Sequence, residues 1–147
     1  MNYKQQYLIS SLNDNGPIVQ ADVFTNEESF LKLKNFNKYE RYVKAPLLID
    51  TGSSISGLDK KIIEQLQLPQ YRETVTVDGA GGMVELNLFK CILYLPIFEK
   101  KGLPIDIIEG DYSQSPYSGI IGRDVLQFCT FEYNGPEAKY VLKAIDF

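Results

Sequence analysis

Short apolar runs, each cut off by a cluster of Gly, Pro, Asn, Asp or Ser, recur along almost the whole sequence, and only one stretch carries clear helical periodicity. This punctuation constrains the fold most, because runs of roughly four to eight residues between turn formers suit strands and are too short for helices. Residues 7–12 and 18–24 flank Asn13-Asp14-Asn15-Gly16-Pro17 and read as a β-hairpin. Ala45-Pro46-Leu47-Leu48-Ile49 is a strand that stops at Asp50-Thr51-Gly52-Ser53-Ser54. Residues 74–77 alternate, Asp78-Gly79-Ala80-Gly81-Gly82 is a flexible tip, and 83–95 return as a long strand. A strand over 104–108, a loop over 109–118, and a short helix over 123–128 follow. Two further strands, 129–133 and 139–145, meet at Asn134-Gly135-Pro136.

The helical stretch is 58–68, where Leu58, Ile62, Ile63 and Leu66 share one face and Leu68-Pro69 stops the chain. Ser56 with Asp59 three residues on resembles a capping box with the shorter acid. Segment 25–44 is polar, aromatic and rich in Lys and Arg. It reads as a solvated loop or hairpin, the alternative being a docking surface for an acidic partner. The pattern as a whole predicts an all-β fold, a closed or partly closed barrel with one or two short helices. At 147 residues, 44% hydrophobic and 23% charged, it predicts a single domain over 1–147.

Composition removes whole classes of chemistry. The chain has no histidine and two cysteines, so mechanisms built on an imidazole base or a histidine metal ligand are excluded. Nineteen Asp and Glu against fifteen Lys and Arg leave a net charge of −4, which argues against a sequence-independent nucleic-acid binder. The N-terminus leads into no apolar run of signal-peptide type, and Ile92-Leu93-Tyr94-Leu95-Pro96-Ile97-Phe98 is too short to span a bilayer. The expectation is a soluble, cytoplasmic protein with no membrane partner, in which Cys91 and Cys129 are buried thiols rather than a disulfide.

Asp50 is the first candidate for chemistry. A carboxylate at the end of an apolar strand, followed by Thr51, Gly52, Ser53 and Ser54, can receive hydrogen bonds from nearby amides and hydroxyls that hold it in place. On Asp50-Thr51-Gly52 alone, an Asp that merely opens a turn is the simpler reading. Other features are weaker. Gly79 to Gly82 lack the Lys-Ser/Thr of a phosphate-cradling loop, and Asp106, Glu109 and Asp111 match no calcium-loop spacing and read as a solvated acidic loop. Ser53 and Ser54 have no histidine to activate them, and Lys60 and Lys61 fall on an exposed helix face.

Several segments match a known pattern in the right order. Leu47-Leu48-Ile49-Asp50-Thr51-Gly52-Ser53-Ser54, the apolar-faced helix, the glycine-rich tip at Gly79 to Gly82 and Gly119-Ile120-Ile121-Gly122-Arg123-Asp124-Val125-Leu126 together resemble the retropepsin-like aspartic proteases, the single-lobed relatives of pepsin. The resemblance covers about 46–133 and leaves 25–44 as an unmatched insertion or loop. It implies that Asp50 is the catalytic aspartate, with Thr51, Gly52 and Ser53 supporting the active-site turn. Gly79, Ala80, Gly81, Gly82 and Met83 would form a flap over bound peptide. Ile120, Ile121 and Gly122 would pack beneath the catalytic turn, with Arg123 and Asp124 as structural residues beside it. Ser54 stands where retroviral members carry an acid, so the resemblance leaves Arg123 without its usual carboxylate partner, and the tip lacks a pepsin-type tyrosine.

Peptide hydrolysis of this kind needs two carboxylates sharing one proton, one to take a proton from water and one to hydrogen-bond the substrate carbonyl. The chain has a single Asp-Thr-Gly, and Asp78-Gly79 lacks the hydroxyl residue, so the resemblance implies a two-fold homodimer with two Asp50 side chains on the axis. Activity would then be bell-shaped on the mildly acidic side. A peptide or protein substrate would lie extended under the flap, its side chains in subsites drawing on Met83, Ile55 and the loop before Gly119, with no metal or cofactor. The runner-up is a non-catalytic dimeric peptide-binding module of the same fold. A third, weaker reading is a monomeric β-barrel binding protein.

Overall fold

Alternation of burial builds most of the molecule. The computed structural model describes residues 3–8, 12–36 and 42–144. In the last strand Tyr140, Leu142 and Ala144 are buried while Lys139, Val141 and Lys143 lie half-exposed between them, the period-two pattern of a sheet with one face on the core. The strands are β1 (Tyr3–Leu8), β2 (Ile18–Phe24), β3 (Tyr42–Ile49), β4 (Gly57–Asp59), β5 (Gln70–Gly79), β6 (Gly82–Tyr94), β7 (Leu103–Gly110), β8 (Gly119–Ile121), β9 (Cys129–Asn134) and β10 (Lys139–Ala144). The helices are short: α1 (Leu12–Asn15), α2 (Glu27–Phe36), α3 (Lys60–Leu66), α4 (Arg123–Leu126) and a 3-10 turn at Pro96–Phe98. The fold is all-β.

Two sheets form. The larger has the order β2-β3-β8-β4-β7-β6-β5, and an extra pairing of β2 with β6, Asp22–Phe24 against Ile92–Tyr94, closes six of its strands into a ring. β5 stays outside the ring, bound to β6 alone. Most pairs are antiparallel, but β3 runs parallel to β8 and β4 parallel to β7. The smaller sheet has the order β1-β10-β9. One hydrophobic cluster joins the two sheets, with Val19, Leu47, Leu58, Leu93 and Ile121 on one side and Tyr140 and Leu142 on the other. The Tyr140 hydroxyl donates to the Ile18 carbonyl at 2.5 Å, so this buried phenol keeps a partner.

The structure corrects several expectations. β1 does not form a hairpin with β2; it pairs with β10 in the other sheet, and β2 pairs with β3 along its length. The turn residues after it make α1 instead, because the fully buried Leu12 anchors a helical turn that Gly16 ends, donating its amide to the Leu12 carbonyl at a φ of 83°. Residues 9–11 of the expected hairpin lie outside the described residues.

Segment 25–44 holds a helix rather than a plain loop. Asn26 Oδ1 accepts from the Ser29 amide at 2.9 Å, Glu27 and Glu28 occupy the first turn, and Phe30 packs against Phe24 and Ile92. Glu28 also pairs with Lys32 one turn on at 3.1 Å. Lys38, Glu40 and Arg41 lie outside the described residues, while Lys44 donates to Asp22 at 3.3 Å.

The central helix is shorter than 58–68. Asp59, not Ser56, caps it, accepting from the Lys61 amide at 2.9 Å, and Leu58 belongs to β4. Ile62, Ile63 and Leu66 do face the core. The second helix ends at Leu126 rather than at 128. Among the described residues no helix is long and apolar enough to cross a membrane.

Candidate active site

Asp50 is placed by two parallel strands. β3 and β8 run side by side with Leu48 opposite Ile120 and Ile49 opposite Ile121, and one residue further on the Asp50 amide donates to the Ile121 carbonyl at 2.9 Å. Leu47 and Ile49 before Asp50 are buried with Leu48 half-exposed between them, and Asp50 itself emerges half-exposed. The chain then turns back on that side chain. The Gly52 amide donates to Asp50 Oδ1 at 2.9 Å and the Ser53 amide to the Asp50 carbonyl at 3.3 Å. Hydrogen bonds from backbone amides orient a carboxylate more firmly than water can.

A layer of polar contacts braces this turn from behind. Ser56 is 2% exposed, and its amide and hydroxyl both donate to Asp124, at 2.9 and 2.7 Å. The same hydroxyl accepts from the Gly122 amide at 2.9 Å, and Asp124 Oδ1 also accepts from Val125. Gly122 has no alternative, since a Cβ there would fall 2.8 Å from the Ser53 carbonyl oxygen and 2.9 Å from the Ile55 carbonyl carbon. Arg123 closes the bracing. Its amide donates to the Ser53 carbonyl at 2.8 Å and its Nη1 to the Thr51 carbonyl at 2.7 Å. The cation that the sequence leaves without a carboxylate thus holds the carbonyl of the residue after Asp50.

A cavity of about 540 Å³ opens over this floor. Asp50, Gly52, Ser53, Ser54, Ile55 and Arg123 line it from the turn and α4, Ile108 and Ile120 from β7 and β8, and Thr76, Val77 and Asp78 from β5. Thr51 is exposed beside it, and Ile121 is fully buried beneath. The hairpin tip of Gly79, Ala80, Gly81, Gly82 and Met83 is exposed beyond the lining residues, with Met83 at 66%. The contact with the cavity is made one step earlier on β5.

Thr76, Val77 and Ile108 are lining residues that the sequence reading did not assign to the site, and Asp78, placed at the flap tip, lines it as well. The signal available was position: Thr76 to Asp78 lead directly into the glycine tip, and Ile108 ends an apolar strand.

The remaining ionisable candidates are occupied otherwise. Asp106 accepts the Tyr71 hydroxyl at 2.7 Å, which pushes that phenol up, and Glu109 accepts from Asn87 at 2.8 Å. Asp111 accepts from Ser113, whose side chain and amide hold its carboxyl below the ordinary range. Among the described residues no group of three or more potential metal ligands forms. Both cysteines are free, and burial pushes Cys91 up to about 12 and Cys129 up to about 11, so at neutral pH each is an unreactive thiol. A second cavity, about 360 Å³, lies between Thr25, Tyr71, Lys90, Cys91 and Asp106, with the Lys90 ammonium 4.8 Å over the Tyr71 ring, and Asp50 takes no part in it.

An all-β chain with a braced Asp-Thr-Gly turn under a β-hairpin defines the class of the aspartic peptidase folds. The family model described as "Aspartyl protease" matches residues 36–125, well over half of the chain, and the protein belongs to that family. Its fold is similar to that of a retropepsin-like aspartic protease from Rickettsia conorii, at 16% identity and a TM-score of 0.53 over 98% of this chain and 94% of that one. Two viral structures are also similar. The EIAV protease in complex with an inhibitor matches at 24% identity and a TM-score of 0.46 over 57% of this chain and 75% of that one. The simian foamy virus (mac) protease matches at 9% identity and 0.47 over 76% and 93%. No curated protein sequence matches the chain.

Proposed function

We propose that this chain, acting as one domain over 1–147, is an aspartic endopeptidase that works as a homodimer, with Asp50 of each copy contributing one carboxylate. The observation that carries the reading is the Asp50 turn, fixed by the Gly52 amide and the Ile121 carbonyl at the floor of a cavity that β5 roofs. Amide hydrolysis is slow because water is a weak nucleophile and an amine a poor leaving group. An ionised Asp50 takes a proton from water, and the oxygen attacks the peptide carbonyl carbon. The protonated Asp50 of the other copy hydrogen-bonds the carbonyl oxygen as charge develops there. When the tetrahedral adduct collapses, the C–N bond breaks and the nitrogen takes a proton from a carboxyl group.

Thr51 would support the turn across the dimer, Gly52 and Ser53 would hold it from within, and Arg123 would keep the Thr51 carbonyl in place. Gly79, Ala80, Gly81, Gly82 and Met83 would close over an extended peptide as an added strand edge. The two unpaired thiols suit a reducing, cytoplasmic setting.

Asp78 is the other carboxylate lining the cavity, so it is the control. Digestion of a peptide library by the purified protein should be lost on Asp50→Asn, by about 1,000-fold or more, and should survive Asp78→Asn. Cleavage that persists in Asp50→Asn sinks the assignment, and equal loss in both variants places the dyad within one copy instead of across two. Tight peptide binding without cleavage in the unsubstituted protein would favour a binding module.

A further inference from the structure

The second cavity has two unlike ends. On the ladder between β6 and β7, Lys90 stands directly opposite Asp106, and Ile92 directly opposite Pro104. Directly opposite residues project to the same face of a sheet, and so do residues two apart, so these four side chains share one face. All four line the cavity, the charged pair at one end and the apolar pair about 7 Å further along the strands. Ile92 is backed by Phe24 and Phe30, which keeps that end apolar. Asn26 and Glu27, at the start of α2, belong to the lining as well. These two lie before residue 36, where the match to the family model begins.

Tyr71 keeps the charged pair from closing on itself. Its hydroxyl donates to Asp106 Oδ1 at 2.7 Å, while the Lys90 ammonium stands over its ring, 4.8 Å from the centroid. Among the described residues Lys90 forms no ion pair, and Asp106 Oδ2 receives no hydrogen bond. A cation and an anion therefore stand side by side, each with bonding capacity to spare. Tyr71 also marks the root of β5, because the pairing of β5 with β6 is irregular between Gln70 and Thr74.

We propose that this cavity binds a free α-amino acid with an apolar side chain: its carboxylate on Lys90, its ammonium on Asp106, and its side chain against Ile92 and Pro104. Spacing selects this class of ligand. An α-amino acid carries both charges on one carbon, which calls for a cation and an anion on neighbouring side chains, and directly opposite residues of a sheet have Cβ atoms about 5 Å apart. A branched aliphatic side chain then extends along the strands to the apolar pair, within a cavity of about 360 Å³. Glu27 adds a second carboxylate to the lining, which favours a ligand that carries an ammonium over a plain carboxylic acid. Asp50 is not part of this cavity, so binding here is independent of the peptidase reading.

The test is titration of the purified protein with free leucine, read by calorimetry and by hydrogen exchange. Leucine should bind saturably and slow exchange of the amides over 71–74, at the root of β5. Lys90→Met and Asp106→Asn should each weaken it by on the order of 10-fold or more, since each removes one charge-assisted contact. Both side chains are exposed, so neither substitution opens the core, and the Asn keeps an acceptor for the Tyr71 hydroxyl. Isocaproate, which lacks the ammonium, and leucinamide, which lacks the carboxylate, should bind weaker than leucine by a similar factor. Glycine, with both charges and no apolar arm, should also bind weaker than leucine. No saturable binding, binding that either variant keeps in full, or equal binding of isocaproate, leucinamide or glycine overturns the proposal. Exchange slowed only outside 71–74 overturns it too, because the amino acid then sits elsewhere.

Discussion

Ser56 links two parts of the site through one hydroxyl. It donates to Asp124 and accepts from Gly122, so the turn after Asp50 and the start of α4 are held to each other by a buried group. Replacing Ser56 by Ala leaves a buried amide and a carboxylate oxygen short of partners, and it should cost about 2–3 kcal/mol in urea unfolding. Activity should fall further than stability alone accounts for, because Gly122 lies directly against the Ser53 carbonyl. Cys91 makes a different prediction, in pH. Burial raises it from the ordinary 9.0 to about 12, so between those values the unfolded chain has lost the thiol proton while the folded chain keeps it. Stability then declines as pH rises from about 9 towards 12. Cys91→Ala, compared with the parent by urea titration across that range, should flatten the decline.

At the level of elements, the parts that were legible are those whose pattern is local. The strand into Asp50, the β5–β6 hairpin with its glycine tip, the β8–α4 junction and the β9–β10 hairpin all announce themselves through turn residues and alternation within a few positions. Pairing across the chain is not written that way. Nothing near Tyr3 says that its partner is Ala144, and the Asn-Asp-Asn-Gly cluster serves a helical turn as readily as a hairpin loop. Charge counting over 25–44 hid α2, whose signature is a cap and an acidic first turn. That cap is testable: Asn26→Ala should destabilise the fold by about 1 kcal/mol, measured by thermal or urea unfolding. Asp50 was legible as the residue where a buried strand meets a polar turn, and Arg123 as a neighbour of that turn. The Thr51 carbonyl as Arg123's partner was not, since any residue type carries a carbonyl.

For the whole molecule, the topology separates what must hold from what must yield. Six strands close on themselves, and β6 is shared. Its inner end, at Ile92 and Leu93, is hydrogen-bonded to both β7 and β2, while its outer part, from Gly82 to Asn87, has β5 as its partner. On the proposed reading, a peptide reaches Asp50 by lifting this two-stranded lever, whose fulcrum lies in the ring, and no ring pairing has to break. The work of admission is local, set by the contacts of one hairpin rather than by the stability of the fold. Hydrogen exchange should show this directly, with the amides of β5 and of the outer part of β6 exchanging well ahead of those at Ile92 and Leu93. A substitution such as Ser56→Ala should speed exchange in the ring and leave the rate of the lever almost where it was. Uniform exchange along β6 would mean that the gate and the frame open together.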